Sequence, residues 1–257
     1  MKLHFKETGS GRALIILHGL FGSGDNWATL AKSFAEAGYR PILVDQRNHG
    51  RSPHDPSFSY PVMADDLQEL ISDQKWERPV LLGHSMGGKT AMFHARQFPE
   101  SLSGLIVADM APRAYVSQHQ EVFRALNAVD FSVVRTRKQA EDILHSRLND
   151  AAVVQFLLKN LYWSDHERLS WRFDLQSLEH AVEEIGKVLP DGPAISLPTL
   201  FLKGADSDYI RDTDEADIRQ RFSDVRIRSI AGAGHWLHAD APSDFFREVI
   251  RFLEELK

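Results

Sequence analysis

The stretch Pro79-Val-Leu-Leu-Gly-His-Ser-Met-Gly-Gly-Lys-Thr90 decides the reading of this 257-residue chain. Val80, Leu81 and Leu82 read as a short buried strand, Gly83-His84-Ser85-Met86-Gly87 as a turn, and a helix is expected from about Met86. Gly-x-Ser-x-Gly between a strand and a helix is the pattern of a nucleophile elbow, a turn so tight that the serine backbone is strained and its hydroxyl stands clear. Gly83 and Gly87 are expected to face each other across the turn, where a Cβ on either would meet backbone. A serine hydroxyl is a weak nucleophile at its own pKa, so the elbow requires a histidine base and a group to orient that base. The same letters carry a rival. Gly83-(x)4-Gly88-Lys89-Thr90 matches the phosphate-binding Gly-x-x-x-x-Gly-Lys-[Ser/Thr] loop, and Leu105-Ile-Val-Ala-Asp109 would suit the acidic metal-holding strand of an NTPase.

Upstream, Leu3 and Phe5 alternate with polar residues, as on a half-exposed edge strand. Ala13-Leu-Ile-Ile-Leu17 is a continuous apolar run, expected of a strand buried on both faces of a parallel sheet. It runs into His18-Gly-Leu-Phe-Gly22, whose backbone can approach the serine. The N–H of Leu20, paired with that of Met86, would form an oxyanion hole. Trp27 to Ala37 reads as a helix closed by Gly38. Pro41-Ile-Leu-Val-Asp45 is another buried strand, followed by the polar loop Gln46-Arg-Asn-His-Gly-Arg-Ser52, where Arg47 and His49 are expected to hold neighbouring loops. Met63, Leu67, Leu70 and Ile71 put one apolar stripe on a helix, with Asp65-Asp66 on its solvated face.

Downstream, the elbow helix runs to Pro99 and Leu105-Ile-Val-Ala-Asp109 is the next buried strand. The strand–helix alternation then breaks. From Arg113 to Ser196 the chain is helix-rich, with helices expected over Glu121–Asn127, Lys138–Leu148, Ala152–Leu161 and Asp174–Leu189. Leu197-Pro-Thr-Leu-Phe-Leu-Lys-Gly204 restores the strand pattern. Binding sites in parallel sheets lie at the carboxyl ends of the strands. Residues 1–112 and 197–257 are therefore read as an α/β core and 113–196 as a helical cap over the site. Of Phe156, Leu157, Trp163, Trp171 and Phe173, at most two or three are expected at an acyl pocket, the rest forming the core of the cap. Arg226-Ile-Arg-Ser-Ile230 is the last strand, and Ala231-Gly-Ala-Gly-His235-Trp236 places a histidine where it can swing back over the sheet edge. His238 follows, but no further ligand cluster supports a metal site. Phe245, Val249, Phe252, Leu253 and Leu256 form the buried face of a terminal helix.

The phosphate-loop reading needs its motif after the first core strand and explains neither His18-Gly nor the late Gly-His. The elbow reading uses both. The acid of a triad has two candidate stations, Asp109 or the pair Asp206/Asp208 in Gly204-Ala-Asp-Ser-Asp-Tyr-Ile210. With His18-Gly-Leu-Phe-Gly-Ser23, Val44-Asp-Gln-Arg-Asn-His-Gly-Arg-Ser52, Gly83-His-Ser-Met-Gly-Gly-Lys-Thr-Ala91, Asp109-Met-Ala-Pro112 and Ala233-Gly-His-Trp236 in hand, the chain resembles the α/β-hydrolases. More narrowly, it is similar to the YbfF-type esterases and their mitochondrial abhydrolase relatives. These stretches span nearly the whole chain except the cap. The resemblance implies an α/β-hydrolase fold, a mostly parallel central sheet with helices on both faces. It implies a Ser85–His235–Asp109 triad acting on small acyl esters and acyl-CoA thioesters, without metal or organic cofactor. It favours Asp109, because Asp-x-Ala-Pro marks these esterases. Two other readings keep the fold: a carbon–carbon bond hydrolase or lyase using the same serine and histidine, and a non-catalytic binding protein.

Bulk properties bound the rest. A hydrophobic content of 43% with 15 Phe suffices for a sizeable core, and a net charge of −6 offers no broad basic surface for nucleic acid or anionic membrane. Zero cysteines exclude disulfides, thiolate zinc sites and a cysteine nucleophile. Met1-Lys-Leu-His-Phe-Lys-Glu7 lacks the apolar core of a signal peptide, and no apolar run approaches membrane-spanning length, so a cytoplasmic protein is expected. Lys89, beside the elbow, is either an ordinary solvated lysine or a contact for an anionic substrate.

Overall fold

The computed structural model describes residues 1–116, 119–164 and 168–256. The chain begins with β1 (Phe5–Glu7), β2 (Arg12–Leu17), α1 (Ala28–Glu36) and β3 (Tyr39–Val44). It continues through α2 (Tyr60–Asp73), β4 (Val80–His84), α3 (Met86–Gln97) and β5 (Gly104–Ala108). Next come α4 (Gln120–Asn127), α5 (Arg137–His145), α6 (Ala151–Leu158), a hairpin of β6 (Leu161–Trp163) and β7 (Leu169–Trp171), α7 (Leu175–His180) and α8 (Val182–Ile185). The sheet then resumes with β8 (Thr199–Gly204), α9 (Glu215–Arg221) and β9 (Val225–Ile230), before α10 (Leu237–Asp240) and α11 (Pro242–Glu255).

The seven-stranded sheet has the order β1-β3-β2-β4-β5-β8-β9, with β1 antiparallel to β3 and the other pairs parallel. Side chains alternate across a strand, so each apolar run feeds two cores. Leu14, Ile16, Leu82, Ile106 and Leu202 pack with Trp27, Leu30 and Phe34 at and along α1 and Phe245, Val249 and Phe252 of α11. Ile15, Leu17, Leu81, Leu105 and Val107 join Leu67, Leu70 and Ile71 of α2 and Met92 of α3 on the other side. Burial on both faces is why these strands carry no polar alternation. The register pairs Leu17 with Gly83 and His84 with Ala108, so β2, β4 and β5 end together at one carboxyl edge.

Three expectations need correction. Asp66 is not solvated: it is 3% exposed, and Arg47 grips it through Nε at 2.6 Å and Nη2 at 3.0 Å. Position 66 lies one turn from Met63 and flanks the apolar stripe, which turns its carboxylate inward. The stretch Asp174–Leu189 is not one helix but α7 and α8, broken at Ala181. The helix expected over Ala152–Leu161 ends at Leu158, because Leu161–Trp163 pairs with Leu169–Trp171.

Candidate active site

Ser85 directly follows β4 with φ 55° and ψ −119°, the strained backbone of an elbow. A Cβ on Gly83 would collide with the Gly87 carbonyl oxygen, and one on Gly87 would lie 2.5 Å from the Leu17 oxygen. Only glycine permits so close an approach of turn and strands. The Ser85 N–H donates to Ala108 O at 3.1 Å, and Lys89 N–H to Ser85 O at 3.0 Å, which pins the elbow to β5 and starts α3.

Two other strand ends meet it. His235 Nε2 lies 3.0 Å from Ser85 Oγ, and its Nδ1 lies 2.8 Å from Asp109 Oδ2. Because the carboxylate can only accept, Nδ1 carries the proton and Nε2 is left to accept from the hydroxyl. Asp109 is fully buried and takes two further donors, Gly204 N–H at 3.1 Å on Oδ1 and the Ser207 hydroxyl on Oδ2. The His235 ring stacks on Tyr209 at 3.6 Å and 15°, with the His84 ring 4.7 Å away. His84 Nε2 donates to the His235 carbonyl at 2.8 Å. Burial, reinforced by His238 and His235, holds the His84 imidazole well below its ordinary pKa, so it stays neutral in this role.

The His18–Gly22 loop lies against the elbow: a Cβ on Gly19 would be 3.2 Å from Ser85 Cβ. Gly22 N–H closes a turn on Gly19 O at 2.9 Å, and Phe21, its third residue, has φ 59°. That left-handed value costs a non-glycine residue about 1–2 kcal/mol. From Phe21 to Gly24 every N–H is bonded, to His49 Nε2, Gly19 O, Asn26 Oδ1 and Asp45 Oδ1 respectively. The Leu20 N–H is left without an acceptor among the described residues, as is that of Met86 at the start of α3. His18 Nδ1–H donates to Gly19 O at 2.8 Å, while its Nε2 accepts from Gln46 N–H at 3.0 Å. Anchoring the Gly19 carbonyl aims the Leu20 N–H the opposite way, since the two sit trans on one peptide. Burial lowers the pKa of His18 to about 4; burial and repulsion from His18 lower that of His49 to about 3. Arg47 and His49 thus hold neighbouring loops, as their sequence context implied.

The structure separates the two acid candidates. Asp206 and Asp208 have exposed side chains, and the side chains of their loop that reach the site are Ser207 and Tyr209, which the sequence reading passed over. The signal was a hydroxyl between two carboxylates; nothing in the letters told which would face inward. His84 was missed because it stands at a variable position of Gly-x-Ser-x-Gly. Lys89 is not a surface lysine. It is fully buried and donates to the carbonyls of Pro112, Arg113 and Lys187, with the Tyr115 ring 5.1 Å from Nζ. Burial, with Arg113 and Arg221 adding repulsion, lowers its pKa to about 7. It is therefore no contact for a substrate anion. Of the five candidate pocket residues, Trp163 is 55% exposed on β6. Leu157, Trp171 and Phe173 are buried, Trp171 and Phe173 being stacked on each other. Phe156 packs against Trp236, next to His235.

Comparison with known proteins agrees with this architecture. The family model described as the alpha/beta hydrolase fold matches residues 12–160. Esterase YbfF of Escherichia coli is 39% identical over 94% of this chain and 93% of its own. The sn-1-specific diacylglycerol lipase ABHD11 of Mus musculus is 40% identical over 94% of this chain and 80% of its own. A solved marine microorganism esterase superposes with a TM-score of 0.95 at 40% identity, covering 98% of this chain and 99% of that one. With a matching family model and relatives at this level of identity across nearly its whole length, the chain belongs to the α/β hydrolase family.

Proposed function

We propose that this protein is a carboxylesterase that cleaves small acyl esters through an acyl-enzyme on Ser85. The observation that carries the reading is the unbroken path from Ser85 Oγ through both nitrogens of His235 to Asp109, at 3.0 and 2.8 Å. In this mechanism Ser85 Oγ attacks the ester carbonyl carbon while its proton passes to His235 Nε2. The N–H groups of Leu20 and Met86 receive the oxyanion. The imidazolium then protonates the leaving alkoxide, the alcohol departs, and the acyl group remains on Ser85. Water attacks the acyl-enzyme with His235 again as base, and the proton returns to Ser85 Oγ as the acid leaves. Asp109 holds the imidazole in the tautomer that this sequence needs. The relatives named an esterase and a diacylglycerol lipase share this acyl-ester chemistry.

Residues 113–196 act in this reading as a cap over the carboxyl edge. The packing of Phe156 on Trp236 supports it, since it brings α6 beside the His235 loop. Thioester cleavage follows the same steps with a thiolate as leaving group, and acyl-CoA thioesters belong among the substrates to be tested. The test is a panel of p-nitrophenyl acetate, p-nitrophenyl butyrate and acyl-CoA esters, run on the wild type and on Ser85→Ala. Turnover by the wild type and its loss in the variant are expected. Ester turnover that survives Ser85→Ala would remove the serine from the mechanism. Inertness of the wild type toward every ester and thioester would remove the reading itself.

A further inference from the structure

The turn that presents Leu20 is held from two sides by groups outside the triad. On one side Phe21 N–H donates to His49 Nε2 at 3.2 Å, and His49 Nδ1–H donates to Arg47 O at 2.9 Å. On the other, Phe21 O accepts from Asn160 Nδ2 at 2.8 Å. Asn160 lies just past α6, within the inserted segment and 139 residues along the chain from Phe21. It is 4% exposed, and its backbone is fixed by its own N–H to Leu157 O at 3.0 Å and by Arg172 N–H to its carbonyl at 2.9 Å.

The same turn has an alternative. With Phe21 at negative φ the Gly19–Gly22 bond can still close, but the peptide between Leu20 and Phe21 rotates and its N–H and C=O point elsewhere. A phenylalanine prefers that alternative, because its Cβ disfavours φ 59°. His49 bonds only the strained form, because the Phe21 N–H belongs to the rotating peptide; Asn160 grips the next peptide, through the Phe21 carbonyl, and fixes where the turn sits against the elbow. The inserted segment also packs on this turn through Phe123 and Phe173, whose rings lie 5.2 and 5.1 Å from that of Phe21. It bonds the neighbouring loop through Asp174 N–H to Asn48 O at 2.9 Å.

We propose that Asn160 is a positioning residue for the oxyanion hole, so that docking of the inserted segment fixes the turn in which the Leu20 N–H meets the substrate carbonyl oxygen. This rests on the acyl-transfer reading of Ser85 and Leu20. The segment then does more than cover the site: an undocked segment leaves the nucleophile and base intact but the oxyanion unsupported.

The test compares wild type, Asn160→Asp, which keeps the shape but sets an acceptor against the Phe21 carbonyl, and Asn160→Ala, which buries no new charge. Losing one oxyanion donor outright costs about 10²–10³-fold, so a misaimed one is expected to lower kcat on p-nitrophenyl butyrate about 10- to 100-fold. KM is expected to change little. Affinity for an acyl trifluoromethyl ketone, which forms the tetrahedral oxyanion on Ser85, should fall in parallel with kcat/KM. Affinity for the corresponding methyl ketone, a ground-state mimic, should hold. If Asn160→Asp does not fold, the Asn160→Ala comparison decides. A fall in melting temperature with unchanged kcat and unchanged trifluoromethyl ketone affinity would overturn the proposal and leave Asn160 a packing residue. A raised KM with constant kcat would overturn it too, assigning Asn160 to substrate binding. A wild type inert toward all esters would instead sink the acyl-transfer reading beneath it.

Discussion

At the scale of single residues, the site turns on which carboxylate orients His235. Asp109 Oδ2 sits 2.8 Å from His235 Nδ1, whereas the Asp206 and Asp208 side chains face solvent. Asp109→Asn is expected to lower kcat on p-nitrophenyl acetate on the order of 10⁴-fold, as when the wrong imidazole tautomer is stabilised. Asp206→Asn and Asp208→Asn should stay close to wild type in the same assay, and a comparable loss in either would reverse the assignment. Ser85 and His235 were legible in the sequence because each stands on a glycine-rich turn after a strand pattern, apolar throughout before Ser85 and alternating over Val225–Ile230 before His235. The acid was not legible from residues alone. Aspartates follow both β5 and β8, and which of them faces the imidazole depends on how the 204–210 loop folds back. That fold also hides Ser207 and Tyr209, whose contacts with Asp109 and His235 follow from loop geometry and leave no periodic trace.

At the scale of elements, periodicity located α2 and α3 but not the polar groups they bury. The apolar stripe of α2 drew Asp66 into the protein, where it meets Arg47 in a two-pronged ion pair. Removing one partner of a buried pair leaves the other charge uncompensated. Asp66→Ala is therefore expected to cost about 3–5 kcal/mol in urea unfolding; a loss under about 1 kcal/mol, typical of an exposed pair, would show that water reaches Arg47. On α3, Lys89 looked like part of a phosphate loop. Its ammonium instead gathers the Pro112 and Arg113 carbonyls, just after β5, and the Lys187 carbonyl, just after α8. It thereby ties the two ends of the inserted segment to the elbow helix. At the elbow itself, Gly83→Ala drives a Cβ into the Gly87 carbonyl oxygen. Such a clash of backbone with no room to yield is expected to prevent folding or cost on the order of 4 kcal/mol, seen as a collapse of the thermal midpoint. A Gly83→Ala variant of unchanged stability would contradict the tight turn.

At the scale of the whole molecule, the parallel sheet was legible because strands buried on both faces must be apolar throughout, and five such runs stand in the chain. The inserted segment was legible only as a break in rhythm: its hairpin and split helices rest on short, weakly patterned stretches. Burial of histidines gives the molecule a global property as well. His18 and His94 are lowered by burial to about 4, His238 and His49 to about 3, and His84 well below its ordinary value of 6.5. Because the folded pKa values lie below the unfolded ones, the unfolded chain takes up protons first as pH falls. Their contribution is complete above about pH 6.5 and is lost as pH drops toward 4 and 3, with a slope of up to about 1.4 kcal/mol per pH unit for each histidine. Urea unfolding from pH 7.5 to 5 should show this decline, and His94→Gln, whose partner is Gln68 and not the triad, should flatten it by about one proton. Stability that holds level across that range would mean these imidazoles titrate normally. The central claim, that Ser85 is the acyl-accepting nucleophile, is tested most directly by fluorophosphonate labelling with the modified peptide identified by mass. The account predicts one adduct per chain, on Ser85, formed by the wild type and suppressed in His235→Ala. An adduct on another residue, or ester turnover by a protein that Ser85 labelling does not inhibit, would contradict it.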